Sequence, residues 1–467
     1  MVFNSFEYWL FLFFVVLLAR ACNLRWRNLL LLGASYVFYG LWDYRFLSLL
    51  WLSTGVDFLV GLRIAGTSDQ ARRRAWLLVS LCVNLGVLGF FKYADFFASS
   101  LVQFLDPAGI RLAPWALEVV LPVGISFYTF QSLSYTLDVY RGHLPAERSL
   151  SRFALYVAFF PQLVAGPIER STRLLPQLAR LHRSDIEQIS SGMWLCLWGL
   201  FKKVVIADNV AVLPDAVYGT PETASGPEVL VATYAFAIQI YCDFSGYTDI
   251  ARGSARILGF DLMRNFDVPY LSRSMQEFWR RWHISLSTWL RDYLYIPLGG
   301  GRGSKARTSV NLGITMLLGG LWHGANWTFL LWGAFHGALL ILERATGARE
   351  ALLLAGGPGK AIRILITFHL VVFGWLIFRA DSVGDISILL SRFGDLEIHA
   401  SGQWLAQLVM LALPLAVFDF VQWWRETDDE FILDAALPVR SLAYFALILG
   451  IAFLGKDDGG SFIYFQF

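Results

Sequence analysis

Apolar runs approaching the ~20 residues a helix needs to cross a bilayer recur along the whole chain, separated by short polar segments. In hydrocarbon every backbone amide must be satisfied internally, so only helices or closed barrels can span it. The runs are continuous and do not alternate, which selects helices. Spans are expected at 6–19, 28–42, 46–62, 76–92, 117–137, 190–213, 229–249, 309–325, 328–343, 362–379, 404–422 and 441–455. Two segments, 153–168 and 284–300, are too short or too interrupted, by Pro161, Gly166 and Pro167 and by Pro297 and Gly299. They are expected to be re-entrant, a form tolerated only when buried in protein. The expected fold is an all-α polytopic membrane protein with about 12 membrane-spanning helices plus re-entrant elements. Residues 1–467 read as a single integral-membrane domain, since no polar linker divides them.

Charge supports this class. Charged residues make up 16% of the chain, against about a quarter in soluble proteins. The net charge of +2 carries little information because the charges are sorted by loop. Most Lys and Arg fall in alternate loops, around Arg20–Arg27, Arg63–Arg74, Arg141–Arg183, Arg252–Arg307, Arg344–Arg363 and Arg425–Arg440. The positive-inside rule makes these loops cytosolic and puts both termini outside. Membrane lipid is an expected partner and nucleic acid is not. Glu7 and the lack of a basic leader suggest a retained first span. Lys202 and Lys203 fit poorly within a span, so that helix is expected to break or to line a wet cavity. Cys22, Cys82, Cys196 and Cys242 are scattered without metal or redox spacing, and no metal site is expected.

The chemistry concentrates in residues 241–336. Trp279, His283, Leu286, Leu290 and Leu294 share one stripe of an expected amphipathic interfacial helix, which puts a histidine on its apolar face. His323 lies 16 residues beyond Arg307, about 24 Å along a helix axis. A neutral imidazole is the least costly titratable group to bury there and stays a competent base. His336, on the next span, could face His323 across the hairpin. Ionisable groups at such depth are functional candidates, yet each of these histidines could equally serve as a hydrogen-bonded packing residue.

The run Asp243-Phe244-Ser245-Gly246-Tyr247-Thr248-Asp249 closes a span at the inner face, where Asp249 could pair with Arg252. The inner loop carries Arg280, Arg281, Arg291, Arg302 and Lys305 beside a glycine knot at 299–303. That combination suits phosphates through charge and backbone amides, or simply reflects positive-inside bias and anionic lipid. No nucleophile elbow and no Walker loop is present. An enzyme of this kind would need an activated donor such as a thioester, for which one base suffices. The aromatic tail 461–467 either anchors at the interface or presents the Tyr464 hydroxyl to a cavity.

The stretches Glu277-Phe278-Trp279-Arg280-Arg281-Trp282-His283-Ile284-Ser285-Leu286-Ser287 and Leu321-Trp322-His323-Gly324-Ala325-Asn326-Trp327, with Asp243 to Asp249, resemble the membrane-bound O-acyltransferase superfamily. The likeness is to its bacterial polysaccharide branch, the membrane acetyltransferase subunits for alginate and cellulose. It implies helices ringed around a thinned, funnelled centre. It implies that His323 and His283 are the catalytic pair, with His336, Asn326, Asp243 and Asp249 as possible support and Tyr464 as a possible acyl relay. It further implies acetyl-CoA as donor substrate, with no permanently bound cofactor, and location in the bacterial inner membrane. A periplasmic SGNH, esterase-like acetyltransferase would be the partner and an exopolysaccharide the final acceptor. Three alternatives stay open: a D-alanyl transferase of the teichoic acid type, acylation of lipid or protein, and a non-enzymatic transporter, against which the lack of internal repeats counts.

Overall fold

The computed structural model describes residues 1–108, 120–164, 166–347, 356–398, 401–456 and 462–463. Its regular structure is helical throughout these residues. They form two compact units: residues 1–189 with 254–263, and residues 190–253 with 264–467.

The first unit contains α1 (Phe6–Ala21), α2 (Leu24–Asp43), α3 (Leu47–Ala65), α4 (Gln70–Leu88), α5 (Ala94–Leu105), α6 (Ile125–Arg141), α7 (Leu150–Ala158), α8 (Phe160–Leu163) and α9 (Ser171–Leu178). Capping side chains start several of these helices: Ser5, Asn23 and Asp69 each accept an amide of the first turn. Asp57 of α3 is fully buried. It is satisfied by Ser80 and Asn84 of α4, at 2.6 and 3.0 Å, and by Ser132 of α6. Up to Leu163, the expected re-entrant segment 153–168 is formed by α7 and the short α8, broken at a buried Phe159.

The second unit holds most of α10 (Ile186–Phe201), then α11 (Asp208–Val210), α12 (Val212–Tyr218) and most of α13 (Gly226–Ile257). It continues through α14 (Met275–Arg281), α15 (Ile284–Leu290), α16 (Lys305–His323), α17 (Trp327–Thr346), α18 (Gly357–Arg379), α19 (Val383–Arg392), α20 (Ser401–Arg425) and α21 (Leu437–Leu454). Lipid tails are as apolar as leucine, so helices in a bilayer associate through close packing of small residues. The hairpin α16–α17 is built this way. A Cβ on Gly320 would collide with the carbonyl oxygen of Phe329, and one on Gly333 with that of Met316. On α10 and α13, a Cβ at Gly199 would lie 2.5 Å from the Gly246 oxygen.

Each expected span overlaps helical structure, although 117–137 starts outside the described residues and is helical from Ile125, and 190–213 is divided among several helical pieces. Among the described residues, six stretches are long and apolar enough to cross a membrane by length and composition: Leu24–Ala65, Gln70–Leu105, Gly226–Ile257, Gly357–Arg379, Ser401–Arg425 and Leu437–Leu454. The protein is a multi-pass membrane protein. The helix carrying Lys202 and Lys203 is distorted where expected, through a π-helical turn at Lys202–Ala207. Both lysines are buried in ion pairs: Lys202 with Asp249 at 2.6 Å, and Lys203 with Asp243 at 2.7 Å and Asp208 at 2.8 Å.

Candidate active site

The site is assembled inside the second unit from α14, α15, α16, α17 and α18. The charged aromatic segment is not one amphipathic helix. Helix α14 ends at Arg281, and His283 takes a left-handed backbone, φ 44°, before α15 begins. Such a conformation costs a non-glycine residue about 1–2 kcal/mol, so its surroundings must enforce it. Asn265 does so. Its carbonyl oxygen accepts the Ile284 amide at 2.9 Å. Its side-chain Oδ1 accepts the Ser285 amide at 3.1 Å and the Ser285 hydroxyl at 2.9 Å, and meets His283 Nδ1 at 3.1 Å. Asn265 and His283 are both completely buried.

His323 is the last residue of α16. Its ring lies 6.4 Å from that of His283, centroid to centroid. Trp322 at 5.1 Å, Trp332 at 5.1 Å and Phe378 at 5.4 Å wall it in. The two histidines that the sequence singles out are therefore neighbours in an aromatic cage. His336 is set one layer back, behind Trp332 at 4.7 Å and against Trp279 at 5.2 Å. It does not line the cavity described next, and neither of its ring nitrogens has a hydrogen-bond partner among the described residues.

A cavity of about 710 Å³ reaches His323 and Trp332. Leu286, Leu290, Leu312 and Met316 form its apolar walls, with Ser287, Thr288 and Thr315 between them. Arg280, Arg291 and Arg344 bring charge to it. Arg291 is paired with Asp292 at 2.7 Å. Among the described residues, Arg280 and Arg344 have no carboxylate partner. Such guanidinia suit an anionic ligand. The glycine knot abuts this region: a Cβ on Gly301 would lie 3.6 Å from the Tyr295 hydroxyl and 3.7 Å from the Arg344 guanidinium. Gly299 and Gly300 both have positive φ, 116° and 57°, which this turn requires of glycine.

The other candidates separate by place. Arg281 does not line the cavity but pairs with Glu277 at 2.9 Å. Burial opposes ionisation of Glu277, but the Arg273 amide, the Arg273 guanidinium and Arg281 outweigh it and hold the carboxyl below its ordinary range. Arg302 and Lys305 are exposed and outside the cavity lining. Asn326 caps α17, accepting the Thr328 amide at 3.1 Å and donating to the Asp381 carbonyl at 2.8 Å. Asp249 pairs with Arg252 at 3.2 Å, as its spacing suggests, and also with Lys202. Tyr464 lies outside the described residues. The sequence reading missed Asn265 and Arg344. Asn265 bonds to a segment 18 residues away and carries no local signature, and Arg344 lies beyond the loop that drew attention.

Asp243 has a role its neighbours in sequence do not reveal. Its Oδ2 accepts the backbone amide of Ile463 at 2.6 Å. Phe462 is buried with its ring 4.3 Å from Tyr247 and 5.7 Å from Phe244, and Phe244 in turn lies 4.7 Å from His283. The start of the aromatic tail is thus seated on α13 beside the histidine cage.

These features form a candidate site in which a buried histidine lies on the wall of a cation-rimmed cavity. Residues 142–353 match the model of MBOAT, the membrane-bound O-acyltransferase family. A probable alginate O-acetylase of Pseudomonas aeruginosa is 44% identical over 441 residues, covering 91% of this chain and 83% of that protein. One from Pseudomonas putida is 41% identical across the full length of both chains. A peptidoglycan O-acetyltransferase of Helicobacter pylori is 37% identical over 399 residues, 80% of this chain and 75% of the relative. This chain belongs to the membrane-bound O-acyltransferase family and is an O-acyltransferase.

Proposed function

We propose that the protein takes an acetyl group from cytosolic acetyl-CoA and delivers it across the membrane for O-acetylation of an exopolysaccharide, alginate or cellulose. A periplasmic esterase-like transferase would complete the delivery. The observation that carries this reading is His323 on the wall of a cavity of about 710 Å³ that also holds the guanidinia of Arg280 and Arg344, which have no carboxylate partner among the described residues. Phosphates of the donor would sit on those arginines, with the thioester extending along the apolar wall toward His323. Within reach, His323 takes the proton of an acceptor hydroxyl while that oxygen attacks the acetyl carbonyl carbon. The C–O bond forms, the C–S bond breaks, and the departing thiolate takes the proton from His323. His283, fixed by Asn265, orients the first histidine. Water excluded from an aromatic cage strengthens these interactions and limits hydrolysis of the thioester.

Tyr464 is the favoured first acceptor, because its sequence neighbours Phe462 and Ile463 are seated beside the cage; a serine on an external partner is the alternative. The relatives' names support a polysaccharide as the final acceptor. The basic loops support a bacterial inner-membrane orientation with both termini periplasmic. A second reading comes from a teichoic acid D-alanyltransferase of Bacillus subtilis, 29% identical over 270 residues, which would make the donor a carrier-bound D-alanine. Offering both donors to the purified protein separates the two. In cells, His323→Ala should abolish polymer acetylation at unchanged protein level, and retained acetylation would overturn the proposal.

A further inference from the structure

A second cavity, of about 260 Å³, opens between α17 and α18. Leu339, Leu342, Glu343 and Thr346 line one side at spacings of three, four and seven residues, and Arg363, Ile366, Thr367 and Leu370 line the other in the same pattern. Each set is one face of a helix. The helices run antiparallel, so the polarity is graded. Arg363, Arg273, Glu343 and Thr346 gather at one end, and Leu339, Ile366 and Leu370 continue toward the other. The charged end is the end nearest the Arg-rich loops. Leu342 and Ile366 are 58% and 53% exposed, as lipid-facing side chains would be.

At that end only Arg363 lacks a carboxylate partner among the described residues. Glu343 is engaged, its Oε2 accepting the Met275 amide at 2.7 Å and the Gln276 amide at 3.4 Å. Arg273 pairs with Glu277 at 3.2 Å. Arg363 donates through Nε to the Arg273 carbonyl at 3.2 Å and has no carboxylate partner among the described residues. Membrane surfaces rich in anionic lipid attract such cations, and a guanidinium suits phosphate better than an ammonium does.

We propose that this groove is a binding site for an anionic glycerophospholipid. Its phosphate would sit on Arg363 with Arg273 beside it, and one acyl chain would run along Leu339, Ile366 and Leu370. Glu343 lines both this groove and the larger cavity, and it holds the first turn of α14, which carries Arg280. The lipid therefore braces the helix that presents one of the cavity's guanidinia. This inference does not depend on the identity of the acyl donor.

The test is native mass spectrometry and thermal unfolding of the full chain in detergent, titrated with phosphatidylglycerol or phosphatidylcholine of matched chains. The expected result is about tenfold preferential retention of phosphatidylglycerol and a rise in unfolding temperature that phosphatidylcholine does not give. Arg363→Gln should lose both the preference and the shift, while Arg363→Lys keeps part of them and shows that the fold survives. Arg425→Gln, exposed at the end of α20, should behave as wild type. Equal retention of the two lipids, an undiminished preference in both Arg363→Gln and Arg273→Gln, or the same shift from glycerol phosphate without acyl chains would each overturn the proposal.

Discussion

Replacing Asn265 by Ala should disable the enzyme without emptying its donor site. Its Oδ1 is the acceptor for the Ser285 amide and hydroxyl and the partner of His283 Nδ1, all buried. The Ser285 hydroxyl can rotate toward His283 Nδ1, 3.5 Å away, but the Ser285 amide loses its acceptor. A buried group left without its partner costs about 1–3 kcal/mol, which sets the cost of the change. The left-handed backbone of His283, held at an expense of about 1–2 kcal/mol, then relaxes and carries the ring away from His323. If only 2 kcal/mol of that appears in the transition state, turnover falls about 30-fold. His283 and Asn265 do not line the larger cavity, so KM for the donor should hold while kcat drops. Asn265→Asp keeps the acceptor and should retain more activity than Asn265→Ala. The assay is acetyl-CoA consumption by purified protein, below the unfolding temperature of each variant. Unchanged kcat in Asn265→Ala, or a loss confined to KM, would refute this account of the loop.

Four further outcomes follow from the geometry. Arg280→Gln and Arg344→Gln should each raise KM for the donor by about tenfold, equivalent to one lost charge-assisted contact of roughly 1.4 kcal/mol, with little change in kcat. Asp243→Leu leaves Lys203 with Asp208 alone and removes the acceptor of the Ile463 amide; a buried amide without its partner costs about 1–3 kcal/mol, and limited proteolysis should show the C-terminal tail released. Gly320→Val drives a side chain into the Phe329 carbonyl; overpacking of this kind costs at least about 1–3 kcal/mol, readable as a lower unfolding temperature in detergent. Asn326→Ala removes the cap of α17 and the exposed hydrogen bond to the Asp381 carbonyl and should cost about 1–2 kcal/mol of stability while leaving turnover intact.

The spans were legible because bilayer thickness imposes a length and a composition that local sequence must carry. Even the awkward pair Lys202 and Lys203 correctly signalled a distorted helix. Two of their partners, Asp249 for Lys202 and Asp243 for Lys203, lie on the distant α13 and could not be paired by spacing alone. The break between α14 and α15 was hidden because Trp279, His283, Leu286 and Leu290 keep helical periodicity through it. Only the distant Asn265 decides that the backbone turns left-handed at His283. The basic loop was read as a unit, but the fold sorts it. Arg280 and Arg291 reach the cavity, Arg281 is consumed by Glu277, and Arg302 and Lys305 stay in solvent. Helix α5 escaped the reading, and Tyr464 lies outside the described residues, so its candidacy rests on the seating of Phe462 and Ile463.

The central claim is that His323 is the base for acetyl transfer from a thioester bound in the larger cavity. The most direct measurement is transfer of labelled acetyl from acetyl-CoA to the purified protein, wild type beside His323→Ala and Tyr464→Phe. The account predicts label on the wild type and none on His323→Ala. Loss of label in Tyr464→Phe as well would identify the tyrosine as the relay, whereas label there would move the acceptor elsewhere. Acetyl transfer by His323→Ala at the wild-type rate would contradict the account.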